Sequence, residues 1–438
     1  MVATLPSVRP VTTADVAHRP APGTVAPTAI TFRHDGVIAT ALIAEPGSLV
    51  QHLYVIDPAT GDRRRVPTPG RAVDEADLTI EEKLRRERAR QLGTGVTSVL
   101  PAAQSTEVLV PLGDGLWLFD DLADAAATPR RLLAADDLDG PILDPAISAD
   151  GSTVAFVHAD EVWVLDLRAA DGTDDAGPRP VTAGAADTGV THGLAEYVAA
   201  EEMGRPFGFW LSPDAGSVAF CAVDDRHVPR YRIVHQGSDQ TGPDAWEEHA
   251  YPFAGADNAR VRVAVTSTTA SASAPTPPVW LDLSAADVGD DHYVARVHWS
   301  PDGEVWVQVQ DRAQQRLAIV ACDPATGHGR LVHAETSDVW INLHDLLRFL
   351  PGDRFLWASE ASGFRHLEVR ERRDGALVHQ VTEGDHVVTR VVAVGEGRVW
   401  FESTERSVRH RHLWVAPLSP GDTPGPAGPA TVDVPGPD

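Results

Sequence analysis

The chain has 438 residues, 43% of them hydrophobic and 6% aromatic, with a formal net charge of −26. Such a length supports a large core or two to three ordinary domains, and the acidic balance argues against nucleic acid or an anionic membrane as partner, since both need clustered cations. Cys221 and Cys322 are the only cysteines; far apart and set in apolar, strand-like runs, they are expected as buried free thiols rather than a disulfide framework or a zinc site.

Residues 1–29 read as an N-terminal extension. They contain no apolar run of signal-peptide length, and nowhere does an 18-residue apolar span occur, so a soluble cytoplasmic protein is expected. His34 to Ala44, HDGVIATALIA, opens the first strand pattern with an Asp-Gly turn. Leu78 to Gly93, LTIEEKLRRERARQLG, predicts a helix with a Thr79/Glu82 capping box, acids in its first turn and arginines in its last. Without a core-facing stripe, it should be an excursion from the sheet structure. Its Lys83 is the only lysine, so Schiff-base chemistry would have to use that residue.

The segments Ile147 to Leu167, Leu211 to Asp224 and Trp299 to Gly327 repeat the grammar of the first: an apolar lead-in, a turn built on Asp-Gly or Asp-Ala-Gly, then an alternating strand. Gly352 to Gly375 and Glu396 to Leu418 repeat its second half. Strand clusters recurring every ~40–60 residues are the signature of propeller blades. One or two β-sandwiches are the alternative, but they have no reason to repeat a turn at this period. The expectation is an all-β propeller of seven to eight blades over residues 30–418, its last blade incomplete, with a short helical excursion near residue 200. Val265 to Pro278 reads as a flexible loop, and residues 419–438, rich in Pro and Gly, as a disordered tail.

That excursion, Gly193 to Asp225, GLAEYVAAEEMGRPFGFWLSPDAGSVAFCAVDD, is the most informative stretch. Leu194, Tyr197 and Val198 make an i, i+3, i+4 face on which Glu201 falls at i+7, so acids are expected where a core residue should be. Glu201 and Glu202 also sit in the last turn before Gly204, where the helix macrodipole disfavours each by about 0.3–1 kcal/mol. Two adjacent carboxylates suit a primary ammonium, with its one charge and three donors; a solvated pair at a frayed helix end is the competing reading. Elsewhere there is no nucleophile elbow, phosphate loop, dinucleotide fingerprint or zinc-protease motif. His410 and His412 lack a carboxylate at ligand spacing, and His227 and His344 read as structural. No cofactor or metal is expected. Arg85, Arg86, Arg88 and Arg90 form either a solvated basic helix face or a guanidinium presented to a carbonyl.

Glu196 to Asp214, EYVAAEEMGRPFGFWLSPD, resembles the double-Glu segment of dipeptidyl peptidase IV family propellers, and Glu81 to Ser98 is similar to the Arg-rich segment of that family's cytosolic branch. Tyr293 to Val320, Val339 to Pro351 and Ala358 to Leu367 are similar to it too, in collinear order. The resemblance implies an eight-bladed propeller joined to a C-terminal serine hydrolase domain, removing dipeptides whose second residue is proline or alanine. It implies that Glu201 and Glu202 hold the substrate's free N-terminus and that Arg90, or else Arg86 or Arg88, contacts its carbonyl; Phe209 and Trp210 match an aromatic pair read as packing. The family's serine, aspartate and histidine have no counterpart here, so the expectation is a substrate-recognition propeller, inactive alone and completed by a hydrolase domain or chain. Its expected partners are peptides with a free N-terminus and, in a homo-oligomer, a second copy. A non-enzymatic propeller used for protein–protein interaction is the alternative.

Overall fold

The computed structural model describes residues 10, 12–18, 20, 24–69, 93–169, 177–186, 188–234, 245–269, 275–419 and 430–431. Among these, seven sheets, each with an antiparallel path of four strands, follow one another along the chain; in six of them the four strands are consecutive, and in the fourth the path is interrupted by an extra strand and by a separate two-stranded hairpin. The first contains Thr28–Phe32, Ala39–Ala44, Val50–Ile56 and Arg63–Arg65, and Thr94–Gly95 adds in parallel beside Val50 and Gln51. The second runs Leu100–Pro101, Val108–Leu112, Gly115–Phe119, Arg130–Ala134, and the third Leu143–Ile147, Thr153–His158, Glu161–Asp166, Arg179–Pro180. In the fourth, two short strands, Val190–His192 and Phe209–Leu211, share one neighbour, Ser217–Asp224, which pairs onward with Arg260–Ser267. These four sheets form one compact unit; the remaining three, within 282–323 and from 328 onward, form another.

The reason for stacked blades is visible in single strands. In Val108–Leu112, Val108 and Val110 pack with Leu42, Leu53 and Phe119, whereas Leu109, on the opposite face, packs with Leu118, Val154 and Phe156. Likewise Val154 and Phe156 face the second sheet, while Ala155 and Val157 join Val218 and Phe220 of the fourth. In the other unit Phe355 and Trp357 pack with Trp306 and Ile319, and Leu356 and Ala358 with Phe401 and Trp414. Because successive side chains point to opposite faces, a strand covered on both sides must be apolar throughout. A two-sheet sandwich would leave one face of each strand polar.

The repeated turn has a single construction. Ser148, Ser212 and Ser300, all buried, donate their hydroxyls to Asp150, Asp214 and Asp302 at 2.7, 2.6 and 2.5 Å. Each hydroxyl also accepts a backbone N–H at or just before the start of the next strand, from Thr153, Ser217 or Glu304, at 2.9–3.0 Å. The chain reverses through a positive φ at Gly151, Ala215 or Gly303. Burial would raise the Asp150 carboxyl, but hydrogen bonds from Ser148 and Ser152 outweigh it and bring it down to about 2.

Two local expectations change. Val265, Thr266 and Ser267, expected in a loop, complete the strand Arg260–Ser267, where pairing with Ser217–Ala219 overrides a Ser/Thr-rich composition. In the segment expected as a tail, Ala430–Thr431 pairs with Trp414 and Val415, giving the seventh sheet its fourth strand. Cys221 and Cys322 are free and buried, as expected, and burial pushes their thiols up to about 11 and about 12.

Candidate functional site

The first strand of the fourth sheet is interrupted. Val190–His192 pairs with Ala222–Asp224 and Phe209–Leu211 with Val218–Phe220, leaving only Cys221 between the two ladders. Cys221 closes the gap: its carbonyl accepts from Gly193 N–H at 2.9 Å and its N–H donates to Gly208 carbonyl at 2.7 Å. Residues 194–207 therefore leave and rejoin the sheet at one point. Both ends of the neck require glycine. Gly193 has φ +86, and a Cβ on Gly208 would lie 2.3 Å from the Leu194 carbonyl oxygen. Gly208 N–H also donates to Gly193 carbonyl at 3.0 Å, and Leu194 bridges to Phe207.

The excursion carries a helix of five residues, Tyr197–Glu201, too short to persist by its own hydrogen bonds. Tertiary contacts hold it. Its buried stripe is Glu196, Ala199 and Met203, at helical spacing. Glu196, the N-cap, makes no side-chain cap; its Oε2 instead accepts from Arg205 Nη2 at 2.7 Å, the two side chains being 6% and 2% exposed. Arg205 also donates to the Phe207 carbonyl at 2.9 Å and lies over the Trp210 ring. Burial would lower the guanidinium, but the Glu196 carboxylate offsets that and holds it above its ordinary value. Gly204, at φ +64, ends the helix as a left-handed cap, and Arg205 N–H returns to Ala199 carbonyl at 2.9 Å.

Glu201 and Glu202 are not on the buried stripe. Leu194 lies outside the helix, so the face expected from Leu194, Tyr197 and Val198 is not the one that packs, and the acid aimed into the core is Glu196. Glu201 is half-buried and Glu202 exposed. Among the described residues neither side chain has an ion-pair or hydrogen-bond partner. Side by side at a helix C-terminus, where local electrostatics favour cations, they offer acceptor oxygens only and fit a ligand with several N–H donors. Residues 70–92, with Arg85, Arg86, Arg88 and Arg90, lie outside the described residues; the chain resumes at Gly93, and Thr94 and Val96 N–H are bound to the Leu49 and Gln51 carbonyls.

Phe209 is buried as packing, next to Trp210, which meets Phe207 edge-on. His227 bonds the Asn258 carbonyl and His344 that of Ala358, both at 2.8 Å, matching their structural reading. Sequence reasoning missed the Glu196–Arg205 pair and the hairpin Arg230–Val234/Trp246–Ala250, which docks on the helix through Tyr197, whose ring lies 6.0 Å from His249 and 5.0 Å from Tyr251. The signal for the hairpin was the aromatic density around Tyr231, Trp246, Tyr251 and Phe253.

A family model described as the dipeptidyl peptidase IV N-terminal region matches residues 113–425. The chain belongs to this family. Relatives of this propeller include human dipeptidyl peptidase 8, 24% identical over 80% of this chain and 47% of that protein. A probable dipeptidyl peptidase 4 of Emericella nidulans is 26% identical over 64% of this chain and 36% of that one. Among solved structures, Porphyromonas gingivalis dipeptidyl peptidase 4 superposes with a TM-score of 0.69 at 19% identity, covering 93% of this chain and 54% of that one. Its match over almost all of this chain bears out the propeller fold. The dipeptidyl peptidase IV-type propeller thus spans about half the length or less of these curated relatives. Among its described residues, no helix is long and apolar enough to cross a membrane.

Proposed function

We propose that this propeller is the substrate-recognition part of a serine dipeptidyl peptidase, with Glu201 and Glu202 holding the free N-terminus of a peptide and the acyl-transfer residues supplied from outside these 438 residues. The observation that carries the reading is the contrast within one helix: Glu196 is consumed by Arg205, while Glu201 and Glu202, at a position unfavourable to anions, have no protein cation among the described residues. A primary ammonium supplies that missing charge. The relatives' names as dipeptidyl peptidases support a peptide ligand. Arg90 as the partner for the first carbonyl, and release of Xaa-Pro or Xaa-Ala dipeptides by the assembled enzyme, belong to the same proposal. So does a cytoplasmic setting, supported by two free, buried cysteines.

Calorimetry with Ala-Pro peptides tests it. The free amine should bind at least about tenfold more tightly than the N-acetylated peptide, and Glu201→Gln with Glu202→Gln should erase that difference. Equal affinity for the two peptides would refute the reading.

A further inference from the structure

The neck of the excursion is gripped from a neighbouring sheet. His192, the last strand residue before Gly193, brings its Nδ1 to 2.8 Å from Oε2 of Glu161 in the third sheet, the two side chains being 9% and 8% exposed. The same carboxylate accepts from Thr182 Oγ1 at 2.6 Å and from the Ala185 and Ala186 N–H groups at 2.6 and 3.3 Å. Burial would raise the Glu161 carboxyl, but the bonds from His192, Thr182 and Ala185 outweigh it and hold it below its ordinary value. An ionised Glu161 only accepts, so His192 Nδ1 carries the proton and donates. The backbone repeats the grip. His192 N–H donates to the Asp160 carbonyl at 2.8 Å, at a tight hairpin turn where Ala159 and Asp160 both have positive φ. Gly193 then lies so close to the third sheet that a Cβ would stand 2.6 Å from Val162 Cγ2 and 2.9 Å from Val157 Cγ2.

Glu161 does not need the histidine in order to be satisfied. Thr182, Ala185 and Ala186 give it three donors from the segment that follows its own sheet's last strand, and only the His192 bond reaches across to the sheet that carries the excursion. Beyond Gly193 the excursion is tied within itself, since Leu194 bridges to Phe207 and buried Glu196 is bonded to buried Arg205. A shift at the neck is therefore carried to the helix rather than absorbed on the way. We infer that Glu161 and His192 are positioning residues for the carboxylate pair, the third sheet setting through them where Glu201 and Glu202 stand. The inference rests on the amine-binding reading and adds a remote determinant to it.

The experiment is calorimetric titration of the full chain with free and N-acetylated Ala-Pro peptides, repeated on His192→Phe, His192→Asn and Thr182→Val. Phenylalanine fills the space of the imidazole beside Phe220 but has no donor; an asparagine amide nitrogen stands where Nδ1 does and donates likewise. Thr182→Val takes a donor from the same carboxylate without touching the neck, so it shows what loss of third-sheet structure alone does. Urea unfolding checks that each variant folds, and His192→Met replaces the phenylalanine variant if that one does not. His192→Phe should weaken free-amine binding about tenfold and leave acetylated binding unchanged. His192→Asn and Thr182→Val should stay within about twofold of the unaltered chain, and His192→Phe should add nothing once Glu201→Gln and Glu202→Gln are in place. A free-amine preference that survives His192→Phe, that Asn fails to restore, or that Thr182→Val removes equally, overturns the positioning role and leaves the amine-binding reading intact. Acetylated peptides binding the unaltered chain as well as free ones, or no peptide binding at all, overturns both.

Discussion

Glu196 and Glu201 stand on the same short helix and have opposite fates. Glu196 faces the sheet, is buried and is bonded to an equally buried arginine; Glu201 is half-buried with no partner among the described residues. A desolvated charge survives only with its counter-ion, so the first pair is architecture, and truncating one member leaves the other stranded. A charge at the surface needs no partner to persist, so it is free to meet one from solution. On one segment, burial thus separates the acid that builds the loop from the acids the loop displays.

The comparison breaks most visibly at Arg205. Arg205→Met should cost about 3–5 kcal/mol in urea unfolding, because Glu196 is left buried and uncompensated, and removing both charges together should recover much of it. Were Arg205→Met neutral, Glu196 would be no more architectural than Glu201. Next is the neck that fixes both acids in space: Gly208→Ala, whose new methyl meets the Leu194 carbonyl, should cost about 1–3 kcal/mol.

A smaller effect tests burial without a counter-ion bond. His344 and His298 are pushed down to about 4, chiefly by burial. His344 is further fixed as the neutral tautomer that donates from Nε2 to Ala358 carbonyl and accepts Leu346 N–H at Nδ1. Their pKa is lower folded than unfolded, so the stability they contribute is complete above the ordinary histidine value of about 6.5 and is lost as pH falls toward about 4. At pH 6 the loss should stay below about 1 kcal/mol per ring; unfolding midpoints at pH 7 and 6 should separate by that much, and His344→Phe should shrink the gap. The smallest expected change is in the displayed pair. Glu201→Gln and Glu202→Gln should each move the unfolding midpoint by no more than about 0.5 kcal/mol, and a larger loss would place them in the architecture with Glu196.

The fold was legible because its signals are local. The Ser-x-Asp turns close within a few residues, as the Ser148–Asp150 and Ser300–Asp302 bonds show, and strands such as Val108–Leu112 announce two buried faces by having no polar position. The site was half legible. Adjacent acids before Gly204 can be read in one dimension, but which face of the helix packs cannot, because Ala199 and Met203 make a modest apolar stripe and Leu194 is drawn off to bridge Phe207. The Glu196–Arg205 pair spans the helix rather than one turn of it, so no periodicity reports it. The hairpin meets the helix through Tyr197, a contact between segments distant in sequence.

The neck at Gly193 and Gly208 makes the loop a cassette. Since Cys221 alone spans the gap in the neighbouring strand, the ladder on either side keeps its register whatever hangs from the two glycines. Loops of other lengths and chemistries can be spliced between them while the sheet beneath stays the same, so the loop is exchangeable and the propeller is the chassis that carries it.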